Sequence, residues 1–68
     1  MSSLSPFYPG LRVRIRRALV DDEGAVIPAG SRGILRGLDR ASRPQIEFDR
    51  RPGHFISIEE RDLEPIGM

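Results

Sequence analysis

Residues 11–17 read Leu-Arg-Val-Arg-Ile-Arg-Arg, with apolar and charged side chains alternating almost to the end. Leu11, Val13 and Ile15 then lie on one side of the chain and Arg12, Arg14 and Arg16 on the other, which is the period of a half-buried β-strand. No segment sustains the period of an amphipathic helix. The chain has 68 residues, enough for one domain. At this size only roughly 60% of the unfolded surface is buried, so the core must come from a few inward side chains on short strands.

The alternation recurs along the chain. Arg32–Leu38 forms a second strand, in which Gly33 and Gly37 mark a bulge or a close backbone approach. Gln45–Asp49 is a third, with Ile46 and Phe48 inward and Glu47 outward. His54–Ile58 is a fourth, with Ile56 and Ile58 on one face. Glu59–Asp62 makes one short helical turn, and Leu63–Ile66 is a brief last strand that Pro65 places at a sheet edge. Ala18–Gly30 has no consistent period and reads as a long loop ending in the turn signal Ile27-Pro28-Ala29-Gly30. Asp39–Pro44 is a polar turn, and Arg50–Gly53 a tight one. Gly30 is expected to supply a positive φ.

These elements predict an all-β domain: a single five-stranded antiparallel barrel with one short helical turn before the last strand. Closure removes exposed sheet edges. Residues 1–9 form an extended lead-in, residues 10–66 the barrel and residues 67–68 a tail. Phe7 and Tyr8, bracketed by Pro6 and Pro9, are expected to close one end of the core. The predicted core is Val13, Ile15, Leu35, Ile46, Phe48, Ile56, Ile58, Leu63 and Val20.

Composition removes several classes of function. Without cysteine there is no disulfide and no thiolate metal site, and nothing points to an oxidising compartment. The longest apolar run, Ala25–Ala29, is far too short to cross a bilayer as a helix, and Met1–Pro9 lacks a signal-peptide pattern. The expectation is a cytoplasmic protein with no membrane partner. Eleven basic residues, all arginine, face ten acidic ones, a net charge of +1 that is too even for a general polyanion binder.

Candidate chemistry is sparse. His54 is the only histidine and follows a turn, which fits a surface or partly packed role better than catalysis or metal binding. Asp21-Asp22-Glu23 lacks the alternating ligand spacing of a calcium loop and is expected to be a solvated acidic loop. Asp49, Glu59 and Glu60 show no sign of a desolvated acid/base pair, and Ser57 has no visible activating base. No catalytic residue, cofactor or metal is expected. The best candidate is the stripe Arg12, Arg14 and Arg16, roughly 6.5 to 7 Å apart along one strand, with Arg17, Arg32 and Arg36 widening it. Two readings follow: a ladder pairing across the sheet with Glu47, Asp49, Glu59 and Glu60, or a binding face for an anionic partner. The ladder is the preferred reading of the stripe.

Gly10-Leu-Arg-Val-Arg-Ile, Ile27-Pro-Ala-Gly-Ser-Arg-Gly-Ile-Leu, Ile46-Glu-Phe-Asp and Asp62-Leu-Glu-Pro-Ile, taken together, resemble the SH3-like small barrels of bacteria. The Gly-x-x-Gly turn and the apolar pair after it also resemble the KOW motif of ribosomal and transcription proteins. The chain also distantly resembles plasmid-type dihydrofolate reductases, themselves SH3-like barrels: Arg51-Pro-Gly-His-Phe-Ile-Ser-Ile sits where they carry a Pro-Gly turn and then their active-site strand. Their Val-Gln-Ile-Tyr run is replaced here by Phe55-Ile56-Ser57-Ile58, so no catalytic residue carries over. The SH3-like resemblance implies a non-enzymatic interaction or accessory domain that binds another protein through its loops and an arginine face. The candidate partner-binding residues are Arg12, Arg14, Arg16, Arg32 and Arg36. The KOW-like turn implies the alternative, an RNA- or DNA-binding module.

Overall fold

A computed structural model describes residues 7–66. Most of the expected lead-in and the whole of the expected tail lie outside the described residues. The strands are β1 (Arg12–Ile15), β2 (Leu19–Val20), β3 (Val26–Ile27), β4 (Arg32–Leu38), β5 (Pro44–Phe48), β6 (Phe55–Ser57) and β7 (Leu63–Pro65). A 3-10 turn over Glu60–Asp62 leads into β7. The protein is all-β, and every strand pair is antiparallel.

Five strands make one sheet in the order β6-β5-β4-β1-β7. β6 and β7 are its edges, with Pro65 on the latter as its missing N–H requires. The remaining two strands, β2 and β3, form a separate sheet. This corrects the reading of Ala18–Gly30 as a loop. Two-residue strands are too short to show a period, and Val20 and Val26 both face solvent at 66% and 67% exposure. Only Leu19 and Ile27 turn inward, Ile27 into the core and Leu19 against it.

The hairpin loops after β2 and β4 are built alike. In each, an aspartate carboxylate accepts two backbone N–H groups: Asp21 Oδ1 from Glu23 and Ala25, and Asp39 Oδ1 from Ala41 and Arg43. Each aspartate also donates its own N–H to the carbonyl four residues on, at 2.9 Å in both loops. The fourth loop residue is left-handed: Gly24 at φ 84° and Ser42 at φ 65°. A turn closed by a left-handed residue matches the twist of the flanking strands. Glycine adopts that conformation freely and serine does not. Ser42→Gly is therefore expected to raise stability by up to about 1 kcal/mol, read as a higher urea midpoint. A lower midpoint would show that the serine backbone is unstrained.

The core is Val13, Ile15, Ile27, Leu35, Ile46, Phe48, Ile58 and Leu63. Seven of these eight were expected from the alternation; Ile27 was not. Ile56 is only half-buried, and Val20 lies outside the core. Pro44, expected in a turn, is fully buried at the start of β5. Phe7 packs against the core whereas Tyr8 is exposed.

Gly33 and Gly37 do different things. The register of β4 on β5 slips between Leu35 and Gly37, so Arg36 is the extra residue of a bulge. At Gly33 the strands come so close that a Cβ would sit 2.6 Å from the Glu47 carbonyl oxygen and 2.8 Å from Ile46 Cγ2.

Candidate functional site

Most of the predicted arginine stripe is held by carboxylates. Arg12 grips Asp49 with both terminal nitrogens, at 3.2 and 3.1 Å. Arg14 Nε donates to Glu64 at 3.0 Å, and Arg36 Nε to Glu47 at 2.6 Å. Arg17 holds Asp62 through two contacts, at 2.9 and 3.2 Å. Arg16 Nε donates to the Leu63 carbonyl at 3.2 Å. The ladder is real, but its partners are partly different from those expected. Asp49 and Glu47 take part, while Glu64 and Asp62 hold Arg14 and Arg17, and Glu59 pairs with Arg61. The reason is register: β7 lies beside β1 and sets Glu64 opposite Arg14.

These contacts shift the carboxylates. The Gly53 N–H and then Arg36 hold Glu47 below its ordinary value, and Arg14 does the same to Glu64. The strongest case is Asp39, where the Arg43 N–H, the Ser57 hydroxyl and the Ala41 N–H push the carboxyl down to about 2. A folded-state value below the ordinary 3.8 means stability that is present above pH ~4 and lost as pH falls toward 2. Asp39→Asn is therefore expected to weaken the domain at neutral pH and flatten its loss of stability between pH ~4 and ~2. Denaturant midpoints measured across that range check it. Parallel curves for the variant and the parent would refute the assignment.

Arg32 stands apart from the ladder. It faces Arg14 across the β1–β4 register but makes no ion pair among the described residues. It lies instead on the rim of an open groove of about 630 Å³, between the turn after β3 and the turn after β5. The first turn is fixed by Gly30 at φ 87° and by Ser31, whose N–H and hydroxyl both donate to the Pro28 carbonyl. A positive φ at that place is what this turn type demands. Phe48 and Ile56 reach the groove from the main sheet, Val26 and Ile27 from the hairpin, and Arg50 and Arg51 from the second turn.

Arg51 ties the two walls together. Its Nη1 donates to Asp21 Oδ2 at 2.9 Å and its Nη2 to Glu23 at 3.1 Å. The Asp21 side chain is fully buried. The Ala25 and Glu23 N–H groups, together with Arg51, hold its carboxyl below the ordinary range. This corrects the expectation of a solvated acidic loop at Asp21-Asp22-Glu23, since the Asp21 carboxylate is buried under its turn donors and Arg51; the Asp-x-x-Gly spacing at 21–24 was the available signal for the hairpin.

The same fold brings Asp21, Asp22 and His54 together, with ligand atoms within 4.8 Å of one another. His54 Nε2 is shielded from solvent without a hydrogen-bond partner, 3.7 Å from Asp22 Oδ1. A cation there would compete with Arg51, which already supplies positive charge to Asp21. Both Asp21 oxygens are occupied by donors. Asp21, with these donors, braces the loop.

No helix among the described residues is long and apolar enough to cross a membrane. Compared with known proteins, the chain matches no family model, no curated protein and no solved structure.

Proposed function

We propose that this chain is a non-catalytic interaction module on an SH3-like barrel, recognising another protein through its loops and the arginines beside them. The antiparallel order β7-β1-β4-β5-β6 and the 3-10 turn before the last strand support the SH3-like reading; the sheet has two edge strands, so its closure into a barrel belongs to the proposal. The observation that carries the function is the neutralised stripe. Arg12, Arg14, Arg17 and Arg36 each hold a carboxylate, so the outer face offers no continuous track for phosphates. Nucleic-acid platforms also present several stacking aromatics; of the two on the strands here, Phe48 is buried in the core and Phe55 alone is exposed.

The test is a triple variant, Arg12→Gln, Arg14→Gln and Arg16→Gln. A bracing role predicts a thermal midpoint lower by about 4–8 °C, since exposed pairs are individually weak. Parent and variant are then titrated with mixed-sequence single- and double-stranded oligonucleotides at 50 and 200 mM salt. The expected result is weak binding throughout, unaffected by the substitutions. An unmoved midpoint together with tight, steeply salt-dependent binding that the variant loses would establish the nucleic-acid alternative.

A further inference from the structure

Resting on the reading of the chain as an interaction module, we infer that the groove between the turn after β3 and the turn after β5 receives an extended, acidic and apolar peptide segment. The groove volume, about 630 Å³, falls within the usual range of ligand sites. Ile27 and Phe48 form its floor but are buried in the core, so the apolar surface open to a partner comes from half-buried Ile56, exposed Pro28 and Ala29, and Val26 on the wall at 67% exposure. An exposed valine beside a concave apolar surface favours an apolar side chain in the partner.

Charge decides the rest of the partner's chemistry. Four charged residues line the groove: Arg32, Asp49, Arg50 and Arg51. Asp49 is gripped by Arg12, and Arg51 is spent on Asp21 and Glu23. Arg32 and Arg50 remain, with no carboxylate partner among the described residues. Elsewhere on this surface arginines are mostly paired, so two uncompensated guanidinium groups on one rim are the complement of a carboxylate. Two cations suit a short acidic segment and are too few for a phosphate backbone. The walls are preformed. The Pro28–Ser31 turn is fixed by its own hydrogen bonds, and Arg51 clamps the hairpin to the turn opposite. A rigid groove spends little of its binding energy on ordering itself.

The test uses the intact 68-residue chain and three synthetic hexapeptides that alternate valine with glutamate, with glutamine or with lysine. Amide shift changes are mapped by two-dimensional nuclear magnetic resonance. The glutamate peptide is expected to perturb residues 26–32, 48–51 and 56, and to bind at least about tenfold more tightly than the glutamine peptide. The double variant Arg32→Gln and Arg50→Gln should lose that advantage while its thermal midpoint stays within about 2 °C, because neither arginine holds an ion pair. Val26→Glu, at an exposed position, should reject the glutamate peptide by like-charge repulsion. Equal affinity for the glutamate and glutamine peptides, or unchanged binding by the double variant, would overturn the groove assignment. Peptide binding that maps to other loops would overturn the groove alone and leave the interaction module standing. Binding of oligonucleotides with no binding of any peptide would overturn both.

Discussion

Gly33→Val is expected to lower stability by about 3 kcal/mol or more, a large fraction of what a domain this small possesses. Gly33 lies on β4 between Val13 of β1 and Phe48 of β5, where the strands pair on both sides. A Cβ there would stand 2.6 Å from the Glu47 carbonyl oxygen and 3.0 Å from Phe48 Cα. Both obstacles are backbone, so no side-chain rotation relieves the clash. Either the β4–β5 ladder opens or β4 shifts against the core. Even Gly33→Ala meets the same atoms, since alanine already carries the offending carbon. Gly30→Ala is the control. It sits at φ 87° in open space, so its cost is backbone strain alone, about 1 kcal/mol. Urea unfolding of the three variants should rank Gly33→Val lowest, then Gly33→Ala, then Gly30→Ala. Equal midpoints for Gly33→Ala and the parent would mean that the two strands are free to separate at this point.

Ile46→Ala is expected to cost about 2–5 kcal/mol. Ile46 is fully buried on β5, with Leu35 of β4 on one side and Ile56 of β6 on the other. It is the middle of a row that crosses three strands. Truncation loses the transfer energy of the removed methyl and methylene groups and leaves a cavity with few neighbours able to fill it. Val20→Ala and Val26→Ala, both on the exposed side of the small hairpin, should each stay within about 0.5 kcal/mol of the parent. Chemical denaturation separates the two classes. A loss at Val20 as large as that at Ile46 would place the hairpin valine in the core, as the sequence reading had it.

That reading of Val20 failed for an instructive reason. In β1 and β5 alternation runs long enough to assign each side chain to a face, and Val13, Ile15, Ile46 and Phe48 all went where the pattern placed them. The β2–β3 hairpin has two residues on each strand, so no pattern is left to count. A loop motif was the only local clue. Asp21-Asp22-Glu23-Gly24 closes its turn as Asp39-Arg40-Ala41-Ser42 closes the next one, with the carboxylate as acceptor and the fourth residue left-handed. Read as a turn, it places strands at 19–20 and 26–27 and leaves open which of their residues face inward.

The sequence by itself determined the all-β class, the strands whose period spans several residues, the helical turn before the last strand and the edge position of Pro65. Each of these depends on neighbours in the chain, and local spacing encodes them. The tertiary structure alone decided which carboxylate meets which arginine. Arg12 reaches Asp49 across 37 positions, Arg17 reaches Asp62 across 45 and Arg14 reaches Glu64 across 50. It also decided that Arg32 and Arg50 stay without a carboxylate partner among the described residues, and that Arg51 binds the hairpin to the opposite turn. Such pairings depend on strand order and register, and these are set by how the whole sheet buries its apolar face.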